Sequence, residues 1–368
     1  MRPYYIKSEG MTEGTYMRVS GTTRPVEGYM LKELILEGQN RYFDSEPCRE
    51  LQITDEDIQN LCKTMKETAI KNTWQNSEKA KIKDITKNTL LSWGILTEVQ
   101  GEIFPTNAYA LLTGQLRMQP VIQCGLFKGK DRAYFADRKE FDGPIQNQVD
   151  AAYQYVLEKI NMGMQIQGIY RQDVYELPTD SVRELIANAV AHRSYLEPGN
   201  IQVAIFDDRL EVTSPGMLLN NVSIKKMMEG YSKPRNPAIA NAFAYMKIIE
   251  KWGTGIPRIF RECREYGLPD PELIDFDGDF RVNMYRNTAI DYSPRVNDRV
   301  NDKVNDRVNE IEEKILKFID NDPAITITQL SMELELSRKT IAAKLKTLKE
   351  KKMIERVGSS RKGYWKIL

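Results

Sequence analysis

With 368 residues, 41% hydrophobic and 29% charged, the chain has the balance of soluble globular protein and room for roughly two to four domains. Its net charge of +1 gives no whole-molecule field to draw in nucleic acid or a membrane, so a basic face must be local. No apolar run approaches the roughly 18 residues of a membrane span, and the opening MRPYYIKSEG has no signal-peptide core. Cys48, Cys62, Cys124 and Cys263 lie far apart with no CxxC pair, and there is a single histidine. That argues against a structural zinc site and for reduced thiols in the cytoplasm.

Residues 1–50 read as two strands, Tyr4–Lys7 and Thr15–Val19, around the turn Glu9-Gly10, with a short helical pattern from Pro25 to Leu36. Residues 51–114 hold two helical patterns, Asp55–Ala69 and Glu78–Trp93, then a hairpin over residues 95–104. Helices followed by a hairpin could be a degenerate winged helix, with Lys79, Lys83 and Lys87 on one helix face turned to DNA. Acids mixed through the segment favour a structural connector.

Residues 115–290 open with strands at Val121–Phe127 and Ala133–Phe135, a helix over Ile145–Asn161 and a strand at Gln165–Ile169. The stretch that follows, TDSVRELIANAVAHRSYLEPGNIQVAIFDDRLEVTSPG, predicts one helix and two strands. Pro178 stops the preceding segment, and Thr179, Asp180 or Ser181 can cap the helix. Val182, Leu185, Ile186, Ala189 and Val190 form its buried face. Glu184, Asn188 and His192 are four apart and stay in one row, which makes them the best candidates for chemistry. Ile201, Val203 and Ile205 alternate as a strand, Asp207-Asp208 turns, and Leu210–Val212 returns. Ser214-Pro215-Gly216 reads as a loop too irregular to continue the ladder. Lys233–Pro237 (KPRNP) is a basic loop before a helix over Ala238–Met246; Arg235 and Asn236 either contact phosphate or cap that helix. Gly253-Thr254-Gly255 precedes a helix over Ile256–Tyr266, an arrangement that suits a phosphate.

RELIANAVAHRSY, EVTSPGML, SKPRNPAIA and EKWGTGIPRI together resemble a divergent branch of the GHKL ATPase fold. Its members are prokaryotic transcriptional regulators with a Schlafen AlbA-like N-terminal domain, labelled helicase-like. The resemblance implies an α+β fold: a GHKL-like sandwich with a C-terminal winged helix-turn-helix. It implies Glu184 as the base that polarises a water and Asn188 as a ligand to Mg²⁺. It implies Gly253, Thr254 and Gly255 as a phosphate-covering loop and ATP as cofactor. Ser214-Pro215-Gly216 stands where better-known members have Asp-x-Gly-x-Gly, whose Asp reads the adenine amino group; Ser is shorter and uncharged. YYIKSEG and GTYMRVSGTT resemble the last third of the AlbA-like domain, so residues 1–50 read as a partial domain from a truncated chain or a shortened gene. Gly125–Asp131 is a poor phosphate loop: it has one residue too few between its glycines and ends in Asp, which argues against a helicase motor.

Residues 291–310 form a low-complexity linker in which Val296, Val300, Val304 and Val308 recur every four residues. Asn, Asp and Val are poor helix formers, so the linker is expected to be mobile unless a second copy pairs with its valine stripe. Residues 311–368 predict three helices and a hairpin, a winged helix-turn-helix. From Arg338 to Lys362 there are ten basic residues against Glu350 and Glu355. Ser337, Arg338, Lys339 and Thr340 lie where such helices meet base edges, while Lys344, Arg361 and Lys362 suit phosphate contact; the alternative is a winged helix used for protein contacts. The leading expectation is a cytoplasmic, DNA-binding transcriptional regulator with no membrane partner. It would be a homodimer on double-stranded DNA, switched by ATP or another small effector. The alternatives are an ATP-hydrolysing enzyme of DNA metabolism or defence, and a scaffold with a dead nucleotide site.

Overall fold

The computed structural model describes residues 3–19, 22–26, 28–167, 170–218, 222–250, 252–276, 278–286, 315–316, 318–319, 322–334, 337–350, 354–357 and 364–367. Two compact units emerge, Met1–Tyr292 and Ser293–Leu368.

The first unit opens with a single helical turn α1 (Gly10–Glu13), the antiparallel pair β1 (Tyr16–Val19) and β2 (Thr22–Pro25), and helix α2 (Gly28–Gly38). The expected strand at Tyr4–Lys7 is not formed. Ile6 N–H donates to Gly14 O (2.9 Å) and Glu9 N–H to Ile6 O (3.0 Å), closing a turn, and Tyr16–Val19 pairs with the residues that follow it.

Helix α3 (Asp55–Lys71) starts at a capping box, in which Thr54 Oγ1 accepts from Asp57 N–H (3.2 Å) and Asp57 accepts from Thr54 N–H (2.8 Å). The single helix expected over Glu78–Trp93 is two, α4 (Asn76–Lys79) and α5 (Lys87–Ser92), because Thr86 forms a second capping box with Thr89. Lys79, Lys83 and Lys87 therefore share no helix face; Lys87 instead binds Asp55 (2.8 Å). β3 (Leu96–Val99), β4 (Glu102–Pro105) and α6 (Asn107–Thr113) follow. Ile58, Leu61, Met65, Leu90 and Tyr109 from this segment join the same buried cluster as the sheet beyond it.

The sheet domain runs β5 (Ile122–Phe127), β6 (Phe135–Phe141), α7 (Ile145–Lys159), β7 (Met162–Gln167), β8 (Tyr170–Tyr175) and α8 (Thr179–His192). It continues with β9 (Ile201–Ile205), β10 (Arg209–Pro215), α9 (Ile224–Met228) and α10 (Pro237–Tyr245), then α11 (Gly255–Glu265), β11 (Glu272–Phe276) and β12 (Asp279–Tyr285). Six strands form one mixed sheet in the order β11-β12-β10-β9-β5-β6, in which only β5 and β9 are parallel. β7 and β8 make a separate antiparallel pair. Helices α7 and α8 lie side by side on the sheet and close an α+β layer arrangement. The second edge strand begins at Phe135 and runs to Phe141, later than the Ala133–Phe135 expected.

The ladder also does not stop at Ser214. Ser214 pairs with Phe280 and Pro215 with Asp279. The ladder to β9 ends at Thr213, so β10 is one-sided there. The Pro215 carbonyl accepts from Ser194 N–H (2.7 Å), away from β12. Its ring nitrogen faces the same way, where the ladder needs no donor.

In the second unit, residues 315, 316, 318 and 319 are helical, followed by α12 (Ile327–Glu333) behind a Thr326–Gln329 capping box and α13 (Arg338–Glu350). β13 (Ile354–Val357) and β14 (Tyr364–Ile367) close an antiparallel hairpin. Ile315, Leu330, Ile341, Leu345, Ile354 and Trp365 lie in one core, matching the expected order of elements. The valine stripe of residues 291–310 lies outside the described residues. No described helix is long and apolar enough to cross a membrane.

Candidate functional site

Helix α8 buries Val182, Leu185, Ile186, Ala189 and Val190 against the sheet, as its spacing requires. Its start differs from expectation: Pro178 is the N-cap residue, and Thr179, Asp180 and Ser181 make no capping bond. Ser181 Oγ instead donates to Glu262 of α11 (2.5 Å), tying the two helices together.

Glu184 and Asn188 are bonded to each other: Asn188 Nδ2 donates to Glu184 Oε1 at 3.1 Å. The carboxylate is only 4% exposed. Burial pushes it above the usual carboxylate range, while the Arg258 guanidinium, donating from Nη2 to Oε2 at 3.1 Å, and the Asn188 amide pull it back. Arg258 also holds Glu250 (2.5 Å), which accepts from Thr254 Oγ1 (2.7 Å). The loop before α11 presses on this carboxylate. A Cβ on Gly255 would lie 2.2 Å from Glu184 Oε1, and a Cβ on Gly253 (φ +70°) would lie 1.9 Å from Gly230 O. Glycine is required at Gly253, for close approach and positive φ, whereas a Cβ on Gly255 would force the Glu184 carboxylate to shift.

These groups border a cavity of about 300 Å³. Glu184, Asn188 and His192 line one wall, with Ser214 and Gly216 at the end of β10. Lys233, Arg235, Gly253 and Gly255 line it from the connecting loops, and Val212, Met217, Ile256, Phe280 and Val282 make it apolar between its polar groups. His192 is held down to about 4, first by burial and then by Arg235, so it is a neutral imidazole at pH 7. Ser214 Oγ donates its proton to Ala189 O (2.9 Å), which leaves the oxygen only as an acceptor. Gly216, at φ +105°, leaves no room for a Cβ, which would fall 1.9 Å from the Arg235 guanidinium.

The basic loop does two jobs. Arg235 donates from Nη1 to His192 O (3.1 Å) and from Nη2 to Met217 O (2.5 Å), so this cavity-lining guanidinium is committed to backbone. Asn236 donates to Ala191 O (3.0 Å) and Arg193 O (2.9 Å), satisfying carbonyls at the C-terminal end of α8. Asn236 and Thr254 do not line the cavity. Arg193 is likewise structural, donating to Glu197 O (3.1 Å) and Gly199 O (2.6 Å). Sequence reasoning did not single out Arg258 or Lys233. Arg258 lies 74 residues from Glu184, beyond the reach of any local spacing rule; Lys233 carried a signal in its basic loop, where Arg235 and Asn236 drew the attention. Among the described residues no group of three or more His, Cys, Asp or Glu side chains could hold a metal ion.

In the second unit, Ser337 Oγ accepts from Thr340 N–H (3.1 Å) and caps α13, while Arg338 and Thr340 are exposed. Lys339 and Lys344 lie on α13, Lys344 half-buried. Lys349 and Arg356 lie over the Trp365 ring, 5.3 and 4.8 Å from its centroid, so two of the ten basic groups support the hairpin. Arg361 and Lys362 lie outside the described residues.

Two stretches match known families. Residues 199–284, from before β9 to the end of β12, match a family described as "Putative ATP-dependent DNA helicase recG C-terminal". Residues 312–364 match a helix-turn-helix domain family. No curated protein matches. Among solved structures, the DIP2311 protein from Corynebacterium diphtheriae is similar in fold, with a TM-score of 0.52 at 19% identity, over 97% of this chain and 71% of that one. The chain therefore joins an ATPase-like domain of the recG C-terminal type to a helix-turn-helix domain.

Proposed function

We propose that this protein is a DNA-binding transcriptional regulator. Its sheet domain, a GHKL-like sandwich, binds ATP or a related effector and modulates a C-terminal winged helix in a homodimer. One observation carries the reading: the Glu184–Asn188–His192 row, Ser214 and Gly216 at the end of β10, and Gly253 and Gly255 all open onto one 300 Å³ cavity. At one point of that cavity Ser214 offers an acceptor whose own proton is already spent, which fits an exocyclic amino group such as that of adenine. Elsewhere on its wall, Asn188 keeps an amide oxygen once its Nδ2 is given to Glu184. A single neutral oxygen suits Mg²⁺ that arrives with the phosphates of a nucleotide, rather than a metal held by the protein alone. Bound in that way, the ion would neutralise phosphate charge. The residues of the chain would hold the base, exclude water and position the phosphates at the Gly253–Gly255 loop.

Switching is better supported than turnover. Each Glu184 oxygen already accepts one hydrogen bond, Oε1 from Asn188 and Oε2 from Arg258, which favours the charged carboxylate and lowers its basicity toward a water. Hydrolysis is the second reading, favoured by the burial that raises the affinity of Glu184 for a proton. Residues 1–50 would be the Schlafen AlbA-like part, packed as a neighbour of the sheet domain. On DNA, the exposed start of α13 would enter the major groove, with two half-sites matched by a dimer. Ligand binding would shift the population between arrangements that differ in DNA affinity.

The test is calorimetric titration of the full chain with ATP and Mg²⁺, with ADP as a second ligand and Asn188→Ala as control. Affinity of about micromolar order, lost in the variant, supports the reading. No heat with either nucleotide refutes the nucleotide assignment. Steady phosphate release abolished in Glu184→Ala would establish the enzyme reading instead.

A further inference from the structure

Glu33 and Glu37 are four residues apart on α2 and face the same way. Both meet the loop that carries Lys233 and Arg235. Lys233 Nζ lies 2.5 Å from Glu37 Oε1, and Arg235 Nε lies 3.4 Å from Glu33 Oε1. This loop reaches across the large cavity. At one end Gly230 abuts Gly253, and at the other the Arg235 guanidinium covers Gly216. Lys233, between those ends, lines both the 300 Å³ cavity and a second one of about 40 Å³ beneath α2.

Two cationic side chains among the described residues line the large cavity, Lys233 and Arg235. Arg235 is fixed by the carbonyls of His192 and Met217. Among the described residues Lys233 is held by one carboxylate, in a half-buried pair whose side chains are 25% and 21% exposed. A lysine ammonium on a four-carbon stem can swing between neighbouring anions without moving the backbone. A triphosphate brings several negative charges where Glu37 brings one, so it would attract the ammonium more strongly.

We infer that Lys233 is the phosphate-binding cation of this cavity and that Glu37 of α2 is its built-in competitor. The inference rests on the nucleotide reading above. It adds a binding residue and a line of regulation: the amino-terminal helix and the nucleotide phosphates draw on one ammonium, so each weakens the hold of the other. The exchange is local because α2 and the turn that follows it have other anchors. Ser194 Oγ donates to Glu33 (2.5 Å), Phe43 stacks on Tyr195 with centroids 6.1 Å apart, and Asp44 accepts from Ile239 N–H at 3.1 Å. A partner or modification that displaced α2 would release Lys233 and tighten nucleotide binding.

The experiment titrates the full chain, Glu37→Gln and Lys233→Met with ATP and separately with adenosine. Glu37→Gln keeps the side-chain shape and removes the competing charge, so ATP should bind about three- to tenfold tighter. Lys233→Met should bind ATP about tenfold more weakly. Adenosine affinity should be the same in all three proteins. ATP binding to the wild type that is unchanged or weaker in Glu37→Gln overturns the competition while leaving the nucleotide site standing. Equal shifts for ATP and adenosine also overturn it, because the helix would then be acting on the whole cavity. No ATP binding in any of the three removes the nucleotide reading and this inference together. Thermal melting of each variant separates a lost contact from a lost fold.

Discussion

At the residue scale, Glu184 is decided by two opposed effects. Burial disfavours its charge, and Arg258 and Asn188 restore it. Arg258→Ala should therefore leave a buried carboxylate with one amide partner and destabilise the first unit by about 2–4 kcal/mol. The sign with pH follows from the direction of the shift. Removing Arg258 raises the folded-state pKa of Glu184 further above its ordinary value of 4.5. A group raised in this way contributes stability only below its unfolded pKa and loses it as pH rises through the folded one. The variant should be weakened more at pH 8 than at pH 5. Adding Glu184→Gln should recover most of the loss at pH 8 and little at pH 5. Urea unfolding of the wild type, Arg258→Ala and the double variant at both pH values measures this. A loss that is independent of pH and not recovered would mean that Arg258 acts by packing and through Glu250 alone.

At the element scale, the cavity exists because two loops touch. Gly253→Ala should cost about 1–3 kcal/mol, from a positive φ and a Cβ driven against the Gly230 carbonyl. It should also speed hydrogen exchange over residues 229–235. Gly267 has nearly the same φ, +69°, but open space around it, so Gly267→Ala should show the strain without the faster exchange. Equal exchange in the two variants would mean that the Gly230–Gly253 contact does not hold the loop. The same elements show what sequence could reveal. The α8 row was legible because a helix repeats every 3.6 residues, and the β9–β10 hairpin because strands alternate. Two of the boundaries that differ do so for local reasons. Thr86 caps a new helix inside what reads as one helical run, and Pro215 is tolerated in a strand whose ladder is one-sided at that point. Contacts between distant segments left no local trace. Nothing in KPRNP says that Arg235 and Asn236 will be consumed by α8 carbonyls, or that Glu37, 196 residues earlier, will hold Lys233.

At the scale of the whole molecule, every described contact that builds the cavity lies within Met1–Tyr292, while the helix-turn-helix match and its own core lie within Ser293–Leu368. On the proposed reading, ligand binding and DNA binding fall to units that have separate cores, so their coupling is tested by comparing the full chain with its fragments. Residues 1–292 alone should unfold in one cooperative transition and keep the nucleotide affinity of the full chain. Residues 293–368 alone should bind duplex DNA with an affinity that falls as salt rises, and ATP should leave that affinity unchanged. In the full chain, ATP should change DNA affinity by a coupling of about 1 kcal/mol or more, roughly fivefold. Fluorescence anisotropy of a labelled duplex, with and without ATP, reads this on the full chain, on the carboxy-terminal fragment and on the two fragments mixed. An effect of ATP in the mixture equal to that in the intact chain would show that the units communicate through a docked surface and that the linker is dispensable. An effect absent from all three would leave the two domains as independent binders and remove the regulatory half of the proposal.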